Sequence, residues 1–227
     1  MHSAELDWVT PDAERVIARH ARVSSDNPDN PDITKLLMHC MRHGHWSVLE
    51  QASASFHIVT TRAISPQLLR HRSFSFQELS QRYAEPHKLL NSYDVANFEL
   101  RKQDTKNRQN SILAEGSELT EKFAEKIKDL NTQSLNLYIE MRAAGVAKEC
   151  ARNILLMCSP TQLHMSGTIR SFIHYVGVRS AGETQKEHRK ISDQIGKTLQ
   201  EVLPAVVEGV KISAQNQPGL RGWLRIN

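Results

Sequence analysis

The sequence predicts an α+β fold in a single domain spanning residues 1–227, and three observations carry that prediction. A stretch from 118 to 144 is rich in Glu, Lys, Leu and Ala at helical spacing, which reads as one long amphipathic helix. Ala54, Phe56 and Ile58 alternate with Ser55, His57 and Val59, the pattern of a strand with one buried face. The few strand candidates are not separated by regular crossover helices, which disfavours a doubly wound sheet.

Taken in chain order, Thr10-Pro11-Asp12 is a helix start, with a capping hydroxyl, proline at the first helical position and acids in the first turn before Val16 and Ile17. Asn30-Pro31-Asp32 repeats the signal ahead of Ile33, Leu36, Leu37, Cys40 and Met41, which make one apolar face ending at Gly44. The strand at 54–59 follows, and Pro66 opens a short helical or irregular passage. Gly145 ends the long helix, a further helix is expected over 147–157, and Ser159-Pro160 breaks it. A short strand at 162–166, a helix at 169–176 and a charged surface helix at 183–202 complete the pattern.

At 227 residues the chain is long enough for a sizeable core. With 39% apolar residues and a mean hydropathy of −0.48 it holds no run suited to a membrane span, and the N-terminus resembles no secretory signal. Three cysteines, none in a CxxC pair, argue against a disulfide scaffold and for a reducing, cytoplasmic setting. A net charge of +4 suits phosphorylated small molecules about as well as nucleic acid. There is no Lys/Arg block, and aromatic residues make up only 6% of the chain, so a nucleic-acid partner is not expected. No two of the ten glycines are spaced as GxG, so any nucleotide cofactor is held by side chains and irregular backbone.

One segment stands apart. "RHRSFSFQELSQRY", Arg70 to Tyr83, crowds arginines, a histidine, a carboxylate and hydroxyls into a stretch with too little apolar periodicity for a core element. Guanidinium donors and hydroxyls suit anionic oxygens, whereas the plain alternative is a solvated loop of surface ion pairs. His39 and His43, four apart, have no third partner in sequence and read as helix-surface histidines, so no metal is expected. Cys40, Cys150 and Cys158 sit among Leu, Ile and Met like small buried hydrophobes, with a cysteine nucleophile as the sharper alternative. Ser80 with His71 as its base is a second nucleophile reading, set against Ser80 as a phosphate ligand.

Arg70-His71-Arg72, then seven residues, then Ser80-Gln81-Arg82 resembles the RHR-x7-SxR signature of the flavin-dependent thymidylate synthases, and Gln77-Glu78 resembles its internal step. The resemblance extends through Gly44-His45, Glu50, Gln67, 106–111, Arg152, Arg170 and 174–179, most of the chain between 40 and 190. It implies a mixed β-sheet flanked by long α-helices and conversion of dUMP to dTMP. Methylenetetrahydrofolate would be the carbon donor, FAD the redox carrier and NADPH the reductant, in a homotetramer whose sites draw on several subunits.

By the same resemblance, Ser47, Arg70, His71, Arg72, Glu78, Arg170 and His174 match flavin-contacting positions, and Thr168 stands near the flavin where many members have asparagine. Gln67, Arg70, Glu78, Leu79, Ser80, Gln81, Arg82, Arg152 and Arg179 match nucleotide-contacting positions, with the phosphate against Ser80, Arg82 and Arg152. Arg179 matches the catalytic arginine, and a fixed cation there would stabilise the ionised uracil ring. Glu183-Thr184 departs from the family's usual histidine-alanine pair. Two other functions compete: the same scaffold delivering a hydroxymethyl group to a pyrimidine nucleotide, and a nucleotide- or RNA-binding module without turnover.

Overall fold

A computed structural model describes residues 1–84, 99–113 and 118–227. Its sheet is four-stranded, in the order β1 (Ser3–Val9), β2 (Ser53–Thr61), β6 (Pro160–Thr168), β3 (Ser75–Glu78), and a separate hairpin pairs β4 (Arg101–Gln103) with β5 (Ser111–Leu113). Flanking backbone bonds show the direction of the β2–β6 pairing: Ile169 N donates to Ala52 O at one end and Arg62 N to Ser159 O at the other, an antiparallel arrangement. The mixture of antiparallel strands and many helices is the α+β class expected.

The chain forms two compact units, one of residues 2–58, 69–77 and 164–227, the other of 59–68 and 78–163 together with Met1. In the first, α1 (Ala13–Ala21) and α2 (Thr34–Arg42) bury Ile17, Leu37 and Met41 completely. Helix α1 begins three residues after Thr10, with Asp12 at its N-cap and no side-chain cap bond. The Thr10 hydroxyl is instead taken by β2, accepting from Ser53 N at 2.9 Å and donating to Ser53 O at 3.2 Å, so strand pairing overrides the local capping signal. Helix α2 ends as expected: Gly44 has φ +75, His45 N reaches back to Cys40 O, and the chain turns into a 3₁₀ segment, Trp46–Gln51.

Downstream in the same unit, α6 (Ile169–Arg179), α7 (Lys186–Val202) and α8 (Pro204–Ala214) precede a 3₁₀ segment, Pro218–Arg225. Ile191, Ile195 and Leu199 fall on one face of α7 and are fully buried. Helix α8 packs against α2 and is buried over most of its length; it lacks an amphipathic stripe, so the sequence reading passed over it. Trp223 closes the core, donating its indole N–H to Ile173 O at 2.8 Å. Strand β3 lies within the segment read as irregular, and the Phe74 ring beside it is held by β6. A Cβ on Gly167 would sit 2.6 Å from Phe74 Cδ1, so while the ring holds this place only glycine fits there.

The other unit contains α3 (Ser65–Leu68), the β4–β5 hairpin and the long helix α4 (Glu118–Ala143), which ends at Gly145 with φ +87. The helix expected over 147–157 is shorter: α5 (Lys148–Ala151) gives way to a 3₁₀ turn, Arg152–Ile154. The strand expected at 162–166 begins earlier, at Pro160, because proline is tolerated as the first residue of a strand. Strands β1, β4 and β5 were not expected; β4 and β5 have three residues each, whereas β1 does alternate Ala4, Leu6 and Trp8 with polar residues, a signal the sequence reading passed over.

Candidate active site

Two clusters of candidate side chains form, one in each unit. In the unit of 59–68 and 78–163, strand β3 delivers Glu78 to a polar hub. Its Oε1 accepts from Arg62 Nη1 at 2.6 Å, Ser65 Oγ at 2.7 Å and Thr161 Oγ1 at 2.9 Å. The Glu78 side chain is 17% exposed, and three donors on one oxygen hold its carboxylate in place. Immediately after, Leu79 N bonds to Gln162 O, and Tyr83 N and Ala84 N both bond to Ser80 O, folding 80–84 into a turn.

That turn places Ser80, Arg82 and Tyr83 on a cavity of about 620 Å³ with Arg142, Ala147, Lys148 and Glu149. Arg82 Nε lies 3.2 Å from Glu149 Oε2, both side chains more than half exposed, and Lys148 Nζ donates to Tyr83 O at 2.9 Å. The cavity is therefore cationic with one balancing carboxylate. Arg152 is on the 3₁₀ turn and half-buried, and is not among the lining residues. Gln81 is buried, and Gln67 N bonds to Ile64 O at the end of α3.

In the other unit, helix α6 supplies Tyr175 and Arg179 from one face, four residues apart. Arg179 Nε donates to His71 Nε2 at 2.9 Å, and the His71 ring stands edge-on to Tyr175 with centroids 5.0 Å apart. Behind them the buried His188 of α7 bonds through Nε2 to the Tyr175 hydroxyl at 3.1 Å. Burial, then the Arg179 cation, pulls His71 down to about 4 and His188 to about 3, while burial pushes the Tyr175 phenol far up. All three are neutral at pH 7, and His71 must carry its proton on Nδ1 to accept from arginine.

Arg70 and Arg72 flank His71 and are exposed. Arg170 pairs with Glu50 of the 3₁₀ segment after α2. Arg170 and His174 line a cavity of about 270 Å³ whose apolar walls are Trp46, Ile173 and Leu220. Ser47 and Glu50 line a separate cavity of about 640 Å³ with Arg19, His20 and Arg22. Thr168 caps α6, accepting from Ser171 N at 3.2 Å. Cys40 and Cys158 have thiols pushed up by burial, and Cys150 is exposed; all three are free. Among the described residues no cluster of His, Cys, Asp or Glu could hold a metal.

Sequence reasoning missed Arg62, Ser65 and Thr161 around Glu78, and nothing in their spacing marks them. It also missed Tyr175 and His188. His188 did carry a signal, since it lies three residues before Ile191 on the apolar face of α7, where a polar ring needs a partner.

The model of the thymidylate synthase complementing protein family matches residues 5–205. The chain is 47% identical over 199 residues to a flavin-dependent thymidylate synthase of Synechocystis sp., covering 87% of this chain and 89% of that one. It is 40% identical over 202 residues to a probable flavin-dependent thymidylate synthase of Paramecium bursaria Chlorella virus 1, covering 87% and 90%. The fold is shared with the UMP/dUMP methylase PolB of Streptomyces cacaoi bound with 5-Br dUMP, at a TM-score of 0.78 and 20% identity over 93% of this chain and 95% of that one.

Proposed function

The chain belongs to the flavin-dependent thymidylate synthase family, and from that premise we propose that it methylates dUMP to dTMP with methylenetetrahydrofolate as carbon donor, FAD as flavin and NADPH as reductant. The observation that carries the reading is the Arg179 guanidinium fixed through Nε against a neutral imidazole, an arrangement in which its terminal amino groups can meet an anionic ring.

Uracil C5 becomes nucleophilic only when negative charge is delocalised from N3 toward O4 and C5. Arg179 stabilises that charge, and because the cation is already oriented, no reorganisation is needed as the charge develops. Ser80 and Arg82, with Arg152, hold the 5′-phosphate; Arg82 exchanges its Glu149 partner for phosphate oxygens. Gln67, Arg70, Glu78, Leu79 and Gln81 complete the nucleotide contacts.

The donor set fits a flavin. The cavity beside Arg170 and His174 offers apolar walls for a flat ring, and exposed Arg70 and Arg72 offer cations for a diphosphate. Ser47, His71, Glu78 and Thr168 add polar groups. A bound flavin supplies the transfer of redox equivalents that no side chain of this chain performs. No thiolate is required, consistent with the raised Cys40 and Cys158 thiols.

We place the enzyme in the cytoplasm as a homotetramer. Its cysteines are all free, which suits a reducing compartment. Among the described residues no helix is long and apolar enough to cross a membrane. Phe123, Leu130 and Leu137 repeat every seventh residue along α4 and are 38%, 54% and 47% exposed, an apolar seam that suits a helix from another copy.

The test is direct. Purified protein supplied with FAD, NADPH, methylenetetrahydrofolate and dUMP yields dTMP, identified by mass. A hydroxymethylated product would place the chain on the other branch of this chemistry, and protein that binds no flavin and turns nothing over would overturn the reading.

A further inference from the structure

We propose that Tyr175 and His188 are positioning residues that hold the catalytic arginine in one orientation, acting on Arg179 through His71. The inference rests on the proposed role of Arg179 and goes beyond it to side chains that touch neither substrate nor flavin.

The geometry is a relay of four groups. Arg179 Nε–H ends on His71 Nε2 at 2.9 Å, so a single bond restrains rotation about the end of a long, flexible side chain. His71 sits in a short irregular segment and has no helix or strand of its own to fix it. Its ring is set by its neighbours: Tyr175 edge-on at 5.0 Å and 79°, His188 edge-on at 6.3 Å and 87°, and Phe74 at 6.4 Å and 72°. Tyr175 and His188 are both fully buried, one on α6 and one on α7, and the 3.1 Å bond between hydroxyl and imidazole locks the two helices' contributions into one wall.

A wall of two apolar rings would fill the same space, but nothing would fix the angle between them. The polar pair costs desolvation, and the bond offsets that cost while specifying geometry. A charged His71 would put like charges at hydrogen-bond distance from Arg179. The buried wall excludes the water that would stabilise such a charge, and the ring remains an acceptor.

The experiment uses full-length, FAD-loaded protein and three near-isosteric changes: Tyr175→Phe, His188→Gln and the two combined. One readout is the Nε–Hε resonance of Arg179 in protein labelled with heavy nitrogen at arginine, identified by its loss in Arg179→Lys. The other is kcat and KM for dUMP. Each single change should shift the Arg179 resonance, speed its hydrogen exchange and lower kcat by roughly three- to tenfold, with KM for dUMP within about twofold. The double variant should lose no more than the worse single one, because both remove the same bond. His71→Gln, which keeps an acceptor, should retain the resonance that His71→Leu loses.

A folded Tyr175→Phe or His188→Gln protein with an unmoved resonance and unchanged kcat overturns the proposal, as does a double variant whose loss is the product of the singles. If wild-type protein makes no dTMP, the proposed activity fails on its own, and the resonance of Arg179 in these variants still decides the relay.

Discussion

The two clusters hold their arginines in opposite ways. Arg82 is 66% exposed and its partner Glu149 is 54% exposed, an ion pair in water that contributes little to stability and breaks readily. Arg179 is anchored to an imidazole backed by two fully buried side chains. The difference suits two tasks. A cation that captures a phosphate must exchange partners each turnover, whereas one that stabilises a transient charge gains most by not moving.

The largest effect should come from breaking the fixed cation. Arg179→Ala is expected to lower kcat by about 10²–10³-fold, with flavin absorbance and dUMP affinity largely kept, measured by steady-state assay and calorimetry. A loss shared equally between kcat and dUMP affinity would mean that Arg179 also binds the ground state, the role proposed for Arg82. At the exchangeable site, Arg82→Ala and Ser80→Ala should each weaken dUMP binding about tenfold while FAD binding is unchanged. Raising the salt concentration should weaken wild-type dUMP binding in the same direction, since exposed charges are screened.

Acid should separate the clusters further. The folded protein holds His71 near 4 and His188 near 3, below the ordinary 6.5, so below about pH 6.5 the unfolded chain takes up protons that the folded chain refuses. Stability contributed by the neutral rings is full above that pH and falls as the pH drops toward 4. The thermal midpoint should decline across this window, and His188→Gln should flatten the decline. The smallest effect is expected from the thiols: replacing Cys40, Cys150 and Cys158 together with Ser should lower the midpoint yet leave dTMP formation measurable.

Local signals proved legible where one short motif decides the outcome. Gly44 and Gly145 end their helices by a positive φ that glycine adopts without strain, and the alternation at 54–59 became β2, although Ser55 and Val59 are buried too, so the strand is not buried on one face alone as expected. Signals failed where a distant strand or helix competes. Thr10 left its helix to bond Ser53, and 75–78 became a strand because β6 was there to pair with it. The candidate site divides the same way. Arg70 to Arg82 could be picked out by composition and spacing, whereas the partners of Glu78, from Arg62 to Thr161, carry no spacing of their own, and of the wall behind His71 only His188 is marked, by its place on the apolar face of α7.

The contact between Gly167 and Phe74 means that two positions far apart in the chain share one allotment of volume. A ring at 74 occupies the place where a side chain at 167 would be, so Gly167→Ala alone is overpacked and Phe74→Leu alone leaves a void. Made together, the two changes should cost less than the sum of the singles, though the Ser73 carbonyl stays 3.3 Å from the new methyl. Sequence drift at these sites is therefore constrained as a pair, and a survey of tolerated substitutions taken one at a time would rank both positions as more rigid than the fold requires.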